Sequence, residues 1–153
     1  MGRAAFIYSE DLSGHVLRDG HPMRPIRLKW THDLLDALGA FSTRKSKVIK
    51  PISATDEDIL SGHTLDYLNV VKNLSGGTAL AKAELFGFSI GGDNPIYDGM
   101  YEAALLSTGA SLMATDLALS SDVDVAFSIS GGLHHAMAAS ASGFCIFNDP
   151  RRM

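Results

Sequence analysis

Two adjacent histidines stand at the end of the strongest strand signal in the chain, and that junction constrains the fold more than any other segment. Asp122-Val123-Asp124-Val125-Ala126-Phe127-Ser128-Ile129 is rich in residues that favour extended backbone, and it runs straight into Ser130-Gly131-Gly132-Leu133-His134-His135. Upstream, Tyr97 to Leu119 carries Met100, Ala104, Leu105, Leu112, Met113 and Leu117 at helical spacing, with small residues between them. Gly109 weakens that helix, while its small residues suit close packing against another element. A helix feeding a strand that ends in glycines is a building unit of an α/β fold with a parallel sheet. In such sheets ligands sit beyond the carboxyl ends of the strands, so chemistry is expected after Ile129.

The rest of the chain supplies matching elements. Ala4 to Tyr8 is a short apolar run suited to a buried strand, and Val48-Ile49 before Pro51 suits a second. A helix is predicted from just after Pro25 to about Gly39, with Ile26, Trp30, Leu34, Leu35 and Leu38 in helical register. Thr55-Asp56-Glu57-Asp58 has the form of a capping box with acids in the first turn, opening a short helix to about Ser61. Leu65 to Leu74 is a further short helix. Gly91-Gly92-Asp93-Asn94-Pro95 is a loop in which Asp93 suits a turn. The chain has no internal repeat and no domain linker.

Composition excludes several classes. The 153 residues carry 13 Lys and Arg against 17 Asp and Glu, a net charge of −4, which provides no basic field for nucleic acid or anionic lipid. One cysteine excludes an intrachain disulfide framework and a multi-cysteine zinc module. No apolar run approaches the ~20 residues of a membrane span, and no signal peptide is recognisable, so the expected setting is the cytoplasm. The glycine pairs Gly76-Gly77 and Gly91-Gly92 lack the pattern of a phosphate loop.

Histidine carries protons near neutral pH and binds metals, and glycines beside it let a ligand approach closely. On that ground His134 and His135 are candidates for proton transfer, although a bare pair of this kind also suits a surface loop. Gly143-Phe144-Cys145 suits either a pocket wall and floor or plain core packing. A nucleophilic role for Cys145 has no sign of an activated thiol behind it. Arg27, at the end of Gly20-His21-Pro22-Met23-Arg24-Pro25-Ile26-Arg27, suits either an interior anion path or a surface pair. Asp19-Gly20-His21 is the chain's only Asp-x-His, and its glycine and following proline suit a loop better than a metal site. His15, His32 and His63 have no partner pattern.

Taken in order, these segments resemble the zinc-dependent histone deacetylase superfamily, with a closer likeness to its bacterial acetoin-utilisation and histone deacetylase-like amidohydrolase branch. The matching blocks are 20–27, Gly62-His63-Thr64-Leu65-Asp66-Tyr67, Asp93 to Glu102, Leu106-Ser107-Thr108-Gly109, Gly131 to Ala136, and Ser142-Gly143-Phe144-Cys145 through Asn148-Asp149. The resemblance implies a three-layer arginase/deacetylase-like α/β fold. It also implies metal-assisted hydrolysis of an acetyl amide at the end of a tunnel. His134 and His135 would be the tandem catalytic histidines. Gly132, Gly143, Phe144 and Cys145 would line the tunnel and acetyl pocket, and Arg27 the internal channel.

The resemblance also implies what the chain lacks. The family's zinc ligands, its carbonyl-polarising tyrosine and the carboxylates that orient the tandem histidines lie downstream of the match to Asn148-Asp149. The expectation is therefore the N-terminal part, residues 1–153, of a single catalytic domain. Its fold would be incomplete at the C-terminus, with Zn2+ belonging to the intact domain and no metal bound here. Such a fragment is expected to be inactive, with an open sheet edge at Val123–Ile129 that favours self-association. The alternative is a non-catalytic remnant that binds an acyl ligand or a protein. Acetyl-lysine, acetyl-polyamines and other short acyl amides remain open as substrates. The acidic rim residue of the family has no match in Lys72-Asn73-Leu74-Ser75-Gly76-Gly77.

Overall fold

The computed structural model describes residues 2–78 and 80–151; Arg152 and Met153 lie outside the described residues. Its centre is a parallel sheet of β1 (Ala4–Ile7), β2 (Ser46–Ile49) and β3 (Val125–Ser128), in the order β2-β1-β3. Ala4 pairs with Ser46 on one side and Val125 on the other, and Ile7 with Ile49 and Ser128. The chain thus forms the expected α/β sheet. β1 has neighbours on both sides, which suits its continuous apolar sequence.

Alternation along β1 sends side chains into two different layers. Phe6 and Tyr8 pack with Leu12 and with Leu28 and Leu35 of α1 (Ile26–Ala37). Ala5 and Ile7 pack on the opposite face against Ala110, Met113 and Leu117 of α4 (Met100–Leu119). Helix, sheet and helix form the three layers. Ile7 is fully buried, which stabilises the fold by about 2 kcal/mol relative to leaving such a side chain in water.

The line of α1 that faces the sheet differs from the apolar series in its sequence. Trp30, Leu34 and Leu38 are 58%, 61% and 73% exposed, while Leu28 is buried. The rings of Tyr8 and Phe41 fix the rotation of the helix by stacking on His32, at centroid distances of 4.4 Å and 5.4 Å.

A second core lies beside the sheet, under α2 (Asp56–Leu60), α3 (Leu65–Ser75) and α4. The capping box is present: the Thr55 hydroxyl accepts from the Asp58 amide, and the Asp58 carboxylate accepts from the Thr55 amide at 2.9 Å. Tyr67 sits at the centre of this core, fully buried, and its hydroxyl donates to the Ile146 carbonyl at 2.7 Å. Gly109 explains the small residues of α4. A Cβ there would stand 2.7 Å from the Ala54 nitrogen, so the 52–54 backbone crosses directly over the helix. A 3-10 segment, Leu80–Phe86, follows α3 without an apolar periodicity to announce it.

Candidate active site

β3 delivers the chain to Gly131 and Gly132, and from there everything depends on close packing. A Cβ on Gly131 would overlap the Ser111 hydroxyl and come within 2.6 Å of an Asp149 oxygen. Only glycine lets the strand end settle onto these two buried groups. Gly132, at a φ of 77°, then turns the chain outward, and His134 and His135 follow, both exposed.

The two imidazoles lie beside each other, with ring centroids 4.3 Å apart. Nδ1 of His134 is 2.9 Å from the Gly132 carbonyl oxygen. A carbonyl only accepts, so the neutral ring carries its proton on Nδ1 and keeps the Nε2 lone pair as a base. The His135 ring rests against Gly143, where a Cβ would come within 2.8 Å of its Cγ.

Gly143 and Phe144 are the two central residues of a tight hairpin. Ser142 N–H donates to the Cys145 carbonyl at 3.1 Å, and Cys145 N–H to the Ser142 carbonyl at 2.8 Å. Positive φ values of 49° and 70° at the two centres give a mirror-image turn. Phe144 holds this left-handed geometry with a full side chain, which is a strained position. His21 packs edge-on against it at 4.9 Å. Nε2 of His21 donates to the Asp93 carbonyl at 3.1 Å, and its Nδ1 accepts from Met23 N–H at 3.1 Å. The only Asp-x-His of the sequence therefore commits both ring nitrogens to backbone groups.

Cys145 is buried, and burial pushes its thiol pKa up, the wrong direction for a nucleophile. Arg27 donates to the Ile129 carbonyl at 3.1 Å. It is exposed overall, but partial burial of the guanidinium holds its pKa below the ordinary arginine value. Arg27 and Phe144 line one cavity of about 70 Å³, with Met23, Ser107, Ser130 and Leu133 among its other walls. His134, His135, Gly132, Gly143 and Cys145 do not line it, so the predicted residues fall into two groups, the imidazole shelf and the cavity.

Nothing in the sequence pattern assigns a role to Asn148 and Asp149. Asp149 is 1% exposed, and burial raises its pKa above the usual carboxylate range. Its one sequence signal is an acid two positions after the apolar run Cys145-Ile146-Phe147, although an aspartate is ordinarily exposed. His63, also without an evident partner in sequence, is buried and accepts from Asn148 N–H at 2.9 Å through Nε2.

Residues 21–151 match the histone deacetylase domain family. The chain belongs to that family. Histone deacetylase 2 of Oryza sativa subsp. japonica is 34% identical over 148 residues, which are 96% of this chain and 29% of that protein. Histone deacetylase 1 of Homo sapiens is 32% identical over 148 residues, 96% of this chain and 30% of that protein. The crystal structure of an HDAC homolog from Aquifex aeolicus superposes with a TM-score of 0.82 at 26% identity, covering 97% of this chain and 39% of that one. The fold is thus that of histone deacetylase relatives, and the chain spans about three tenths of the length of the curated relatives it matches.

Proposed function

We propose that this chain supplies the proton-transfer and tunnel portion of a zinc-dependent deacetylase centre that hydrolyses acetyl-lysine or a related short acyl amide. The observation that carries the reading is the His134–Gly132 hydrogen bond, in a chain of the histone deacetylase family. It leaves one imidazole nitrogen free to take a proton from an attacking water and return it to the leaving amine, with His135 alongside. Phe144 forms one wall of the acyl tunnel, Gly132, Gly143 and Cys145 surround the acetyl end, and Arg27 serves the internal channel. The acetoin-utilisation likeness belongs to the same proposal and adds no separate substrate.

Zinc in this family acts as a Lewis acid toward the amide carbonyl. Among the described residues no three of His, Cys, Asp and Glu come together to hold a metal ion. The described residues therefore do not fit a zinc centre by themselves, and the chemistry assigned to this chain is confined to its imidazoles. Residues 1–153 alone are expected to give substoichiometric zinc and no acetyl-lysine turnover at the rate of an intact relative. Stoichiometric zinc or full turnover overturns that expectation.

The nucleotide sequence after codon 153 tests the wider reading. An Asp-x-His strand end in any frame supports the enzyme. Unrelated sequence favours the second reading, a binding module, which the cavity lined by Arg27 and Phe144 supports. We place the protein in the cytoplasm, with no direct nucleic-acid partner. No helix of the described residues is long and apolar enough to cross a membrane.

A further inference from the structure

We infer that His21 is a positioning residue that holds Phe144 in place as a wall of the acyl tunnel, by locking separate segments of the chain around its imidazole. The inference rests on the proposed place of Phe144 in that tunnel and concerns what keeps the wall there. Phe144 is half-buried at a φ of 70°, a backbone region that so large a side chain leaves unless its surroundings over-determine it. Among the described residues, His21 is the aromatic ring packed on Phe144, with the ring planes at 76° and the centroids 4.9 Å apart. Edge-to-face packing of this kind is attractive between aromatic rings. It holds Phe144 only where the imidazole itself is fixed.

The imidazole is fixed at both ends. His21 is 3% exposed, its Nε2–H donates to the Asp93 carbonyl at 3.1 Å, and Met23 N–H donates to its Nδ1 at 3.1 Å. One ring thus ties the 91–95 loop to the 20–25 segment. The backbone delivers it there: Gly20 turns the chain at a φ of 69°, Pro22 keeps His21 out of helical geometry, and His21 N–H donates to the Arg18 carbonyl at 3.2 Å. The 91–95 loop is tied in turn to the hairpin, where the buried Asn94 side-chain amide donates to the Cys145 carbonyl at 3.1 Å. The contacts close a circuit from His21 through Asp93 and Asn94 to Cys145, Phe144 and back to His21. Met23, Asn94 and Phe144 all line the cavity that Arg27 also lines, so a circuit opened at His21 opens a wall of that cavity. Phenylalanine at position 21 would supply the ring edge without either hydrogen bond. Glutamine would supply a donor and an acceptor without the ring. Histidine supplies both.

The test is NMR of the full 153-residue chain above the imidazole titration range, with the backbone shifts of α3 as the control for folding. A positive φ brings the amide and α protons of one residue close together, so the intraresidue cross-peak of Phe144 reports its backbone and the ring shifts report its packing. In His21→Phe and in His21→Gln the ratio of left-handed to other Phe144 conformers is expected to fall roughly fivefold, the weight of one hydrogen bond or one aromatic edge contact, with α3 unchanged. Phe144→Leu tests the direction of the dependence. There the His21 ring is expected to keep its proton on Nε2, because both of its hydrogen bonds run to backbone groups. Unmoved Phe144 signals in either folded His21 variant overturn the inference, and so does a His21 ring that leaves the Nε2–H tautomer in Phe144→Leu. If one His21 variant loses the α3 shifts, the other decides. Loss of the α3 shifts in both overturns a local positioning role, because His21 then serves the whole core. None of these readouts involves turnover, so the positioning role and the deacetylase reading fail in distinguishable ways.

Discussion

The imidazole of His135 occupies the space that a Cβ on Gly143 would need, within 2.8 Å of that position. The hairpin and the tandem histidines are therefore one packed unit, although seven residues separate Gly143 from His135. Gly143 also holds a φ of 49°. Gly143→Ala is expected to cost about 1–3 kcal/mol through that backbone conformation and to displace the His135 ring. Denaturant midpoints and the His135 ring shifts check both effects. An unmoved ring would show that the hairpin does not support it.

Tyr67 reaches across the second core to a carbonyl in the irregular segment leading to Asn148. Tyr67→Phe leaves the Ile146 carbonyl without its 2.7 Å donor in a fully buried setting. The expected loss is about 1–2 kcal/mol in urea unfolding, with little change in the m-value. A neutral result would mean that another donor reaches Ile146.

Asp149 gives stability a pH dependence of definite sign. Burial raises its folded-state pKa above the ordinary 3.8, against the opposing hydrogen bonds from Ser111 and Gly132. Between those two values the native state holds more protons than the unfolded state. Its contribution is thus fully present below 3.8 and lost as pH rises through the higher folded value. Hydrogen bonds from Lys50, Lys29 and Lys72 lower Asp11, Asp33 and Asp56, which act with the opposite sign, but these pairs are solvent-exposed and weak. The difference in unfolding free energy between the native chain and Asp149→Asn isolates the term. It should grow in favour of the variant as pH rises from 4 toward neutrality, and a flat difference would contradict it.

The outer side of β3 is an edge among the described residues, with Val125 59% and Phe127 51% exposed. Such an edge offers unpaired backbone groups to another chain. Sedimentation of residues 1–153 is expected to show concentration-dependent association. Val125→Lys, at the more exposed position, is expected to suppress it. A wild-type chain that stays monomeric across the concentration range counts against an associating edge.

Much of this architecture is written in local patterns. The apolar run at Ala4, the Thr55–Asp58 box and the Val125–Ser128 strand each announce themselves within a few residues, because each depends mainly on its own backbone and two burial faces. The α1 stripe does not. Trp30, Leu34 and Leu38 have helical spacing, but the rings of Tyr8 and Phe41 set the rotation of that helix, and sequence spacing alone contains no record of them. The tandem histidines and the glycines around them were visible as a motif. The left-handed φ of Phe144, the edge-on His21 and the contacts of Asn148 and Asp149 were not. Each depends on partners many residues away, and a polar residue adjoining an apolar run does not say which backbone groups it will reach.

The placement of β1 between β2 and β3 also orders events in time. Made before β2 and β3, β1 gains one neighbour from β2, yet its other edge waits for Val125, whose neighbouring Asp124 lies 121 residues beyond the Arg3 amide that it receives. At typical synthesis rates that wait is on the order of ten seconds. Pairing over such a separation carries a large loop-closure cost and slows folding. A nascent chain of this design must therefore shelter a half-paired apolar strand until β3 is made, and the covering by α1, made before β2, is the part of the fold available to do it.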